Sequence, residues 1–376
     1  MYRAVFALLS LFPAEPVHEV VFGGLRALMR VPFARRVTST LLGTRDPSLR
    51  VRAFGVDFEG PLGLAAGFDK NALGPSDLLA LGFGFIEVGS VTREPQPGND
   101  KPRLFRLKDD RGLLNRMGFN NDGARRVAQR LSERPDPRVA VNIGKNKTTP
   151  EAQAASDYRE AARQLGPHAA FVVVNVSSPN TKGLRDLQAP DALTVILTAA
   201  REGLDEGSPD RRVPLLVKIA PDLSDREIDA LADLAVDLEL DGIVATNTTT
   251  SREGLRSRHQ ELGAGGISGA PLRVRSLEVL ARLHRRLRES QRADLEIISV
   301  GGIANVEDAW ARITHGATLL ELYTAFIYEG PLVARTIHEG LAKKLRLHGF
   351  STIAEAVGSA IVIPETSAAQ QADPEP

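Results

Sequence analysis

The sequence predicts an α/β chain folded as a (β/α)8 TIM barrel with a small N-terminal helical extension. Three observations predict it. From residue 50 onward, eight short, mostly apolar runs alternate with stretches of helical character, as parallel strands buried on both faces do. Eight such units over roughly 300 residues favour a closed barrel over a doubly wound sheet. Polar residues gather where the runs end, and the C-terminal ends of the strands are where barrels carry their chemistry.

The elements follow in chain order. Ala4–Phe12 is an apolar run behind Arg3. It has the look of a short signal peptide, but Pro13-Ala14-Glu15-Pro16 follows instead of a small-x-small cleavage site. Two short helices fit better, over about residues 2–11 and 15–29. In the second, Val17, Val21, Leu25 and Leu28 make one apolar stripe at helical spacing. Arg3, Arg26, Arg30, Arg35 and Arg36 outnumber Glu15 and Glu19. The pattern fits a helical pair in a membrane interface and a lid packed on the main domain equally well.

The candidate strands are Leu62–Ala66, Phe85–Val91, Ala140–Ile143, Phe171–Val176, Leu215–Ile219, Gly242–Thr246, Glu296–Val300 and Thr318–Tyr323. Pro150–Leu165 and Ser224–Glu239 read as amphipathic helices between them. Ser224, with Glu227 three residues on, makes a capping box. Thr92–Asp136 is too long for a simple βα loop and reads as an excursion over the barrel mouth. Residues 363–376 are rich in Ala, Gln, Pro and Glu, a composition that does not build a core. The expected organisation is a helical segment at 1–40, a barrel at 41–350 and a tail at 351–376.

Composition narrows the function. Of 376 residues, 43% are hydrophobic, and 47 Lys and Arg balance 47 Asp and Glu. That balance argues against a general nucleic-acid binder, which needs a basic excess. With no cysteine, disulfides, zinc–thiolate sites, iron–sulfur ligation and a cysteine nucleophile are excluded. At the strand ends Asn, Lys, Ser and Thr cluster, while Asp, Glu and His are scarce. This speaks against metal-assisted hydrolysis, with no metal expected, and against paired-carboxylate chemistry. Donors and cations suit a planar polar cofactor and an anionic substrate.

Two features sharpen this. Gly265-Gly266-Ile267-Ser268-Gly269, and Gly301-Gly302 before a helix from about Asn305, lie where barrels often hold phosphate. Lys218 sits in Val217-Lys218-Ile219, and a buried lysine needs an anionic partner or a lowered pKa.

The motifs GLAAGFDKN, GSVT, PQPGNDKPRLFRL, NRMGFNN, NIGKNK, NVSSPNT, VKIAPDLS, ATNTT, GGISG and the VGG before the last strand, in order over roughly residues 40–345, resemble the dihydroorotate dehydrogenase family. The helical N-terminus is similar to its class 2, quinone-dependent, membrane-associated branch. The resemblance implies an FMN-containing barrel that oxidises dihydroorotate to orotate in pyrimidine biosynthesis and passes electrons to a membrane quinone. By position it implies that Ala66, Gly67, Phe68, Asp69, Lys70, Ser90, Asn142, Asn175, Lys218, Thr246, Gly269, Gly302, Tyr323 and Thr324 bind FMN. Lys70, Asn115, Arg116, Met117, Gly118, Phe119, Asn175, Asn180, Asn247 and Thr248 would hold the substrate, and Ser178 would be the catalytic base. Ser90 stands where Thr is common in the family and Thr324 where Ser is common; both keep a hydroxyl. His18, Arg106 and Tyr323 would meet the quinone. A monomer is expected, attached peripherally through residues 1–36 to the cytoplasmic side of the cell membrane, with no nucleic-acid partner.

The chemistry fits these residues. Lys70 can neutralise a carboxylate, and Asn115, Asn180 and Asn247 offer donors and acceptors to an imide-like edge. A serine is a poor base at its free pKa, so Ser178 needs help, with Thr248 and Asn180 as candidates. Alternation turns Ser177 to the opposite face, where it caps the strand end. The rival readings are a class 1 enzyme, which typically uses a cysteine base, another pyrimidine- or uridine-reducing flavin barrel, and a colourless non-catalytic barrel.

Overall fold

The computed structural model describes residues 2–43, 46–181, 183–258, 260–290, 292 and 295–361. Lys182 and the expected tail from 363 onward lie outside the described residues. Eight strands close a parallel barrel: β1 Leu62–Leu64, β2 Ile86–Thr92, β3 Val139–Gly144, β4 Val172–Asn175, β5 Leu215–Ile219, β6 Gly242–Ala245, β7 Glu296–Val300 and β8 Leu319–Leu322. Each pairs with its neighbours in sequence, and β8 closes on β1 through Leu320↔Leu62 and Leu322↔Leu64. Nearly every strand residue is buried, because the barrel interior covers one face and the outer helices cover the other. All eight expected strands are present.

The outer ring is built from α4 Pro75–Leu79, α5 Ala124–Glu133, α6 Ala154–Leu165, α7 Pro190–Gly207, α8 Asp225–Asp237, α9 Arg273–Glu289, α10 Val306–Thr314, α11 Thr324–Glu329 and α12 Val333–His348. The Ser224 hydroxyl accepts from the Glu227 N–H and the Glu227 carboxylate accepts from the Ser224 N–H, so the expected capping box starts α8. Asn305 caps α10 by accepting from the Asp308 N–H at 2.9 Å.

The excursion after β2 is a hairpin, Leu104–Leu107 against Gly112–Asn115, extended by Gly266–Gly269 into a three-stranded antiparallel sheet. Gly266–Gly269 is thus a strand, and Gly265 and Gly266 stay outside the lining of the main cavity. Only Gly269 of that run reaches the main cavity together with Ser268.

Three N-terminal helices precede the barrel: α1 Tyr2–Leu9, α2 Ala14–Leu28 and α3 Ala34–Leu42. The third was not expected from sequence. The inward face of the second carries Ala14, Glu15, Phe22 and the following Met29, with His18 and Leu25 half-buried. Val21 and Leu28 of the expected stripe are exposed. The correction is one residue of register, about 100° around the helix, and leaves this helix apolar on a second face. The Glu15 carboxylate takes Arg103 at 2.7 Å, and Arg26 donates to the Leu73 carbonyl at 3.1 Å. These bonds fix the helix against the excursion after β2 and the loop after β1.

Candidate active site

One cavity opens where the C-terminal ends of the strands meet the three-stranded sheet. Ala66, Gly67 and Lys70 line it from the turn after β1, Ser90 from β2 and Asn175 from β4. Ser178 and Asn180 follow from the next loop, Lys218 from β5, and Thr246, Asn247 and Thr248 from the end of β6. Asn115 comes from the hairpin and Met117, Gly118 and Phe119 from the segment that follows it, and Gly269, Gly302, Tyr323 and Thr324 complete the wall. Most of the expected site residues are thus brought together.

A chain of amides runs through it. Asn247 Nδ2 donates to Asn175 Oδ1 at 3.1 Å, and Asn175 Nδ2 donates to Ser90 Oγ at 3.0 Å and Asn142 Oδ1 at 3.1 Å. Asn142 Nδ2 donates to Glu87 Oε1 at 2.9 Å. On the opposite side Asn180 Nδ2 donates to Asn115 Oδ1 at 3.0 Å. Bonds in series hold each amide in one orientation.

The two serines of the β4 loop separate. The Ser177 hydroxyl accepts from Asn247 Nδ2 at 2.9 Å and is fully buried. Ser178 faces the cavity, and its Oγ accepts from the Asn180 N–H at 3.3 Å.

Four expected residues stand outside the lining. Phe68 turns away to pack on His18, with centroids 4.5 Å apart, and on Phe22. The Asp69 carboxylate accepts from the Leu73 and Gly74 N–H groups at 2.8 Å and braces its own loop. Asn142 acts from behind Asn175. Arg116 reaches outward to the Ala264 carbonyl and stacks on Phe105. Arg106 and His18 also lie outside the cavity. Arg106 donates to the Phe12 carbonyl at 2.8 Å.

Sequence reasoning missed two carboxylates. Glu87 and Glu321 are fully buried in the barrel and hold Lys218, at 2.7 and 3.3 Å. Both lie within strands and outside the cavity lining, away from the strand ends where acids were read as scarce. An ionisable residue inside an apolar run was the available signal, as at Lys218.

Charge is tuned throughout. Burial pushes Lys70 down to about 8, opposed by Glu15 and assisted by Arg103. Burial pushes His18 down to about 4, with Lys70 adding to the effect, so its ring is neutral at pH 7. Burial works against the Lys218 charge, yet Glu321 and Glu87 outweigh it and raise its pKa. Lys70, Arg111, Lys218 and Arg273 line the cavity against Glu329 alone among its acids, so the cavity favours anions.

The residues fit a phosphate-bearing polar group. Asn180 Oδ1 and Thr248 Oγ1 are buried with no partner among the described residues, which leaves hydrogen-bonding capacity for a ligand. Gly302 holds φ +74°, and a Cβ there would come within 2.4 Å of Arg273 Cα. That close packing requires glycine and sets the β7 turn against the N-terminus of α9, where Gly301, Gly302 and Arg273 line the cavity and can meet an anion.

Fold and site define a (β/α)8 barrel enzyme with an amide-lined, anion-accepting centre at its C-terminal mouth. Residues 48–345 match the family model described as dihydroorotate dehydrogenase. The chain is 57% identical over 362 residues to a protein named dihydroorotate dehydrogenase (quinone) from Mycobacterium sp. (strain KMS), covering 96% of this chain and 99% of that one. It is 56% identical to the protein of that name from Thermobifida fusca (strain YX), over 95% of this chain and 96% of that one. The crystal structure of DHODH from Eimeria tenella in complex with ferulenol superposes with a TM-score of 0.82 at 39% identity, covering 92% and 95% of the two chains. The chain belongs to the dihydroorotate dehydrogenase family, in its quinone-dependent class, and is a flavin-dependent oxidoreductase.

Proposed function

We propose that the protein oxidises (S)-dihydroorotate to orotate in de novo UMP biosynthesis, with FMN as hydride acceptor, a membrane quinone as final acceptor and Ser178 as base. The observation that carries this reading is the convergence of Ser178, Lys70, Lys218 and the Asn115, Asn180 and Asn247 amides on one cavity. FMN would be held by Ala66, Gly67, Ser90, Asn175, Lys218, Thr246, Gly269, Gly302, Tyr323 and Thr324. When bound it supplies the hydride-accepting centre. Lys70 neutralises the substrate carboxylate, and the three amides fix the ring's donor and acceptor edge. Ser178 Oγ takes the C5 proton, and the N–H it accepts from Asn180 favours its charged form. Dihydroorotate oxidation compared with quinone, fumarate and NAD as acceptors tests the assignment. Turnover is expected with quinone, and turnover with fumarate or NAD alone would overturn it.

Lys70 gives a pH dependence. Its ammonium is present below about 8 and lost above it. The KM for dihydroorotate is expected to rise with a unit logarithmic slope above that pH, about tenfold per pH unit. Lys70→Met is expected to show the high KM at every pH, which steady-state assays from pH 6 to 10 would check.

The N-terminal helices serve in this reading as the quinone gate and the peripheral membrane contact, facing the cytoplasm. Eleven of the fifteen large hydrophobic side chains exposed among the described residues lie between Val5 and Leu41. Such a concentration is the mark of an interfacial surface. No helix of the described residues is long and apolar enough to cross a membrane. Phe68 touches His18 on one side and Tyr323 on the other, which supports an aromatic path from the helices to the cavity. Deleting residues 1–36 is expected to spare flavin reduction while lowering turnover with a long-tail quinone roughly tenfold or more, through lost membrane binding. Unchanged turnover on quinone-loaded vesicles would refute the gate.

A further inference from the structure

Lys218 stands between two carboxyls. Its Nζ is 2.7 Å from Glu87 Oε2 and 3.3 Å from Glu321 Oε2, and the Glu87 and Glu321 side chains have no exposure at all. Two ionised carboxylates against one ammonium would leave a net negative charge buried in the barrel, which a protein interior does not tolerate unpaired. The two acids are not equivalent. Glu87 accepts from the Ala66 N–H at 2.8 Å, Asn142 Nδ2 at 2.9 Å and Lys218 at 2.7 Å, so both its oxygens are engaged. Glu321 takes the longer Lys218 contact at Oε2, its buried Oε1 accepts no hydrogen bond from the described residues, and its other hydrogen-bonding neighbour is the Glu87 carboxyl, a pairing that requires one of the two acids to be protonated. Hydrogen bonds to the charged form favour it, and their lack favours the neutral acid.

We propose that Glu321 is a positioning residue that stays protonated, so that Glu87 and Lys218 balance each other beneath the cavity, and that its ionisation opposes negative charge arriving against Lys218. Lys218 lines the cavity and Glu321 does not, so Glu321 acts through the lysine. The protonation stands on the triad alone, while its effect on redox chemistry rests on the flavin reading above.

The pH sign follows. Burial, then Glu87, push Glu321 up to about 8, against the pull of Lys218. The acid is neutral below that pH and ionised above it. Glu87 on β2 and Lys218 on β5 are the titratable groups that face it across the barrel. The residues of β7 and β1 paired beside it, Ile298–Val300 and Leu62–Leu64, carry none. Helix α10 packs on the outer side of β8, where its Arg312 is turned to Ser276 and the Gly301 carbonyl.

An atomic-resolution crystal structure of the holoenzyme at neutral pH is expected to show unequal carboxyl C–O bonds at Glu321 and equal ones at Glu87. Equal bonds at Glu321 would overturn the proposal. In infrared spectra, a carboxylic-acid C=O band present at neutral pH is expected to vanish above about pH 8 and in Glu321→Gln. A band that survives in Glu321→Gln would overturn it too. Should that variant fold poorly, Glu87→Gln serves instead. Glu321 then becomes the counterion of Lys218 and the band must again disappear; its persistence counts against the triad. In the holoenzyme, the flavin midpoint potential is expected to fall more steeply with pH above about 8 than it does in Glu321→Gln. Identical profiles would overturn the redox role. A colourless protein would instead sink the flavin reading and leave the carboxyl measurements to stand.

Discussion

Ser178→Ala is expected to bind flavin normally and to slow flavin reduction by dihydroorotate roughly 10²–10⁴-fold, the usual worth of a positioned general base. The side chain is small, and its Oγ makes one 3.3 Å bond within the protein, from the Asn180 N–H. Its loss should therefore change stability by no more than about 1 kcal/mol. The effect on rate has a different origin. Ser178 lines the cavity together with Asn180 and Thr248, whose Oδ1 and Oγ1 have no partner among the described residues, and no other hydroxyl of the β4 loop lines it. Ser177 is committed to Asn247 and Asn175. Ser177→Ala should loosen the amide chain and raise KM while leaving the maximal rate of flavin reduction within about tenfold of normal. Anaerobic stopped-flow mixing of each variant with dihydroorotate checks both. Near-normal reduction in Ser178→Ala would remove this serine as the base.

What the sequence made legible was local, and what it hid was pairing over distance. The eight strands could be read because a parallel strand covered on both faces is a short apolar run, as at Val172–Asn175 and Gly242–Ala245. The cavity-facing loops could be read because small polar residues follow those runs immediately. The sheet that walls the cavity could not. It joins Gly266–Gly269 to Gly112–Asn115, segments about 150 residues apart, and no local pattern announces such a partner. Nothing local in the run 265–269 consequently marked it as a strand. The second N-terminal helix was legible as a helix but not in its orientation. With apolar residues on two faces, periodicity cannot choose the buried one, and the choice was made by the Glu15–Arg103 pair and by Phe22 packing on Phe68. The same limit hid Glu87 and Glu321. Lys218 was read as a buried cation in need of an anion, yet its partners come from strands 131 and 103 residues away.

Those partners make Lys218→Met the most damaging single change. Removing one member of a buried ion pair leaves the other uncompensated and costs about 3–5 kcal/mol. Here the residue left behind is Glu87, held by the Ala66 N–H and Asn142 but deprived of its cation. In the intact protein burial raises the Glu87 pKa, but Lys218 and the hydrogen bonds outweigh that and hold it low. Without the lysine, Glu87 must take up a proton to stay buried. The unfolded chain does not need to do so above the ordinary carboxylate range. The variant's folded state then binds more protons than its unfolded state, so its stability falls as pH rises. Denaturant unfolding should show a deficit that is smaller at pH 5 than at pH 8. Equal deficits at both would mean that lost packing, not charge, is the cause. The double variant Lys218→Met/Glu87→Gln separates stability from chemistry. With the cation and its counterion both gone and Glu321 neutral, no charge of the triad remains buried, and most of the stability should return. Flavin reduction should not return, because the double variant still lacks the cation that meets negative charge in the cavity. Recovery of stability without recovery of reduction would assign Lys218 two distinct tasks, one to the fold and one to the site.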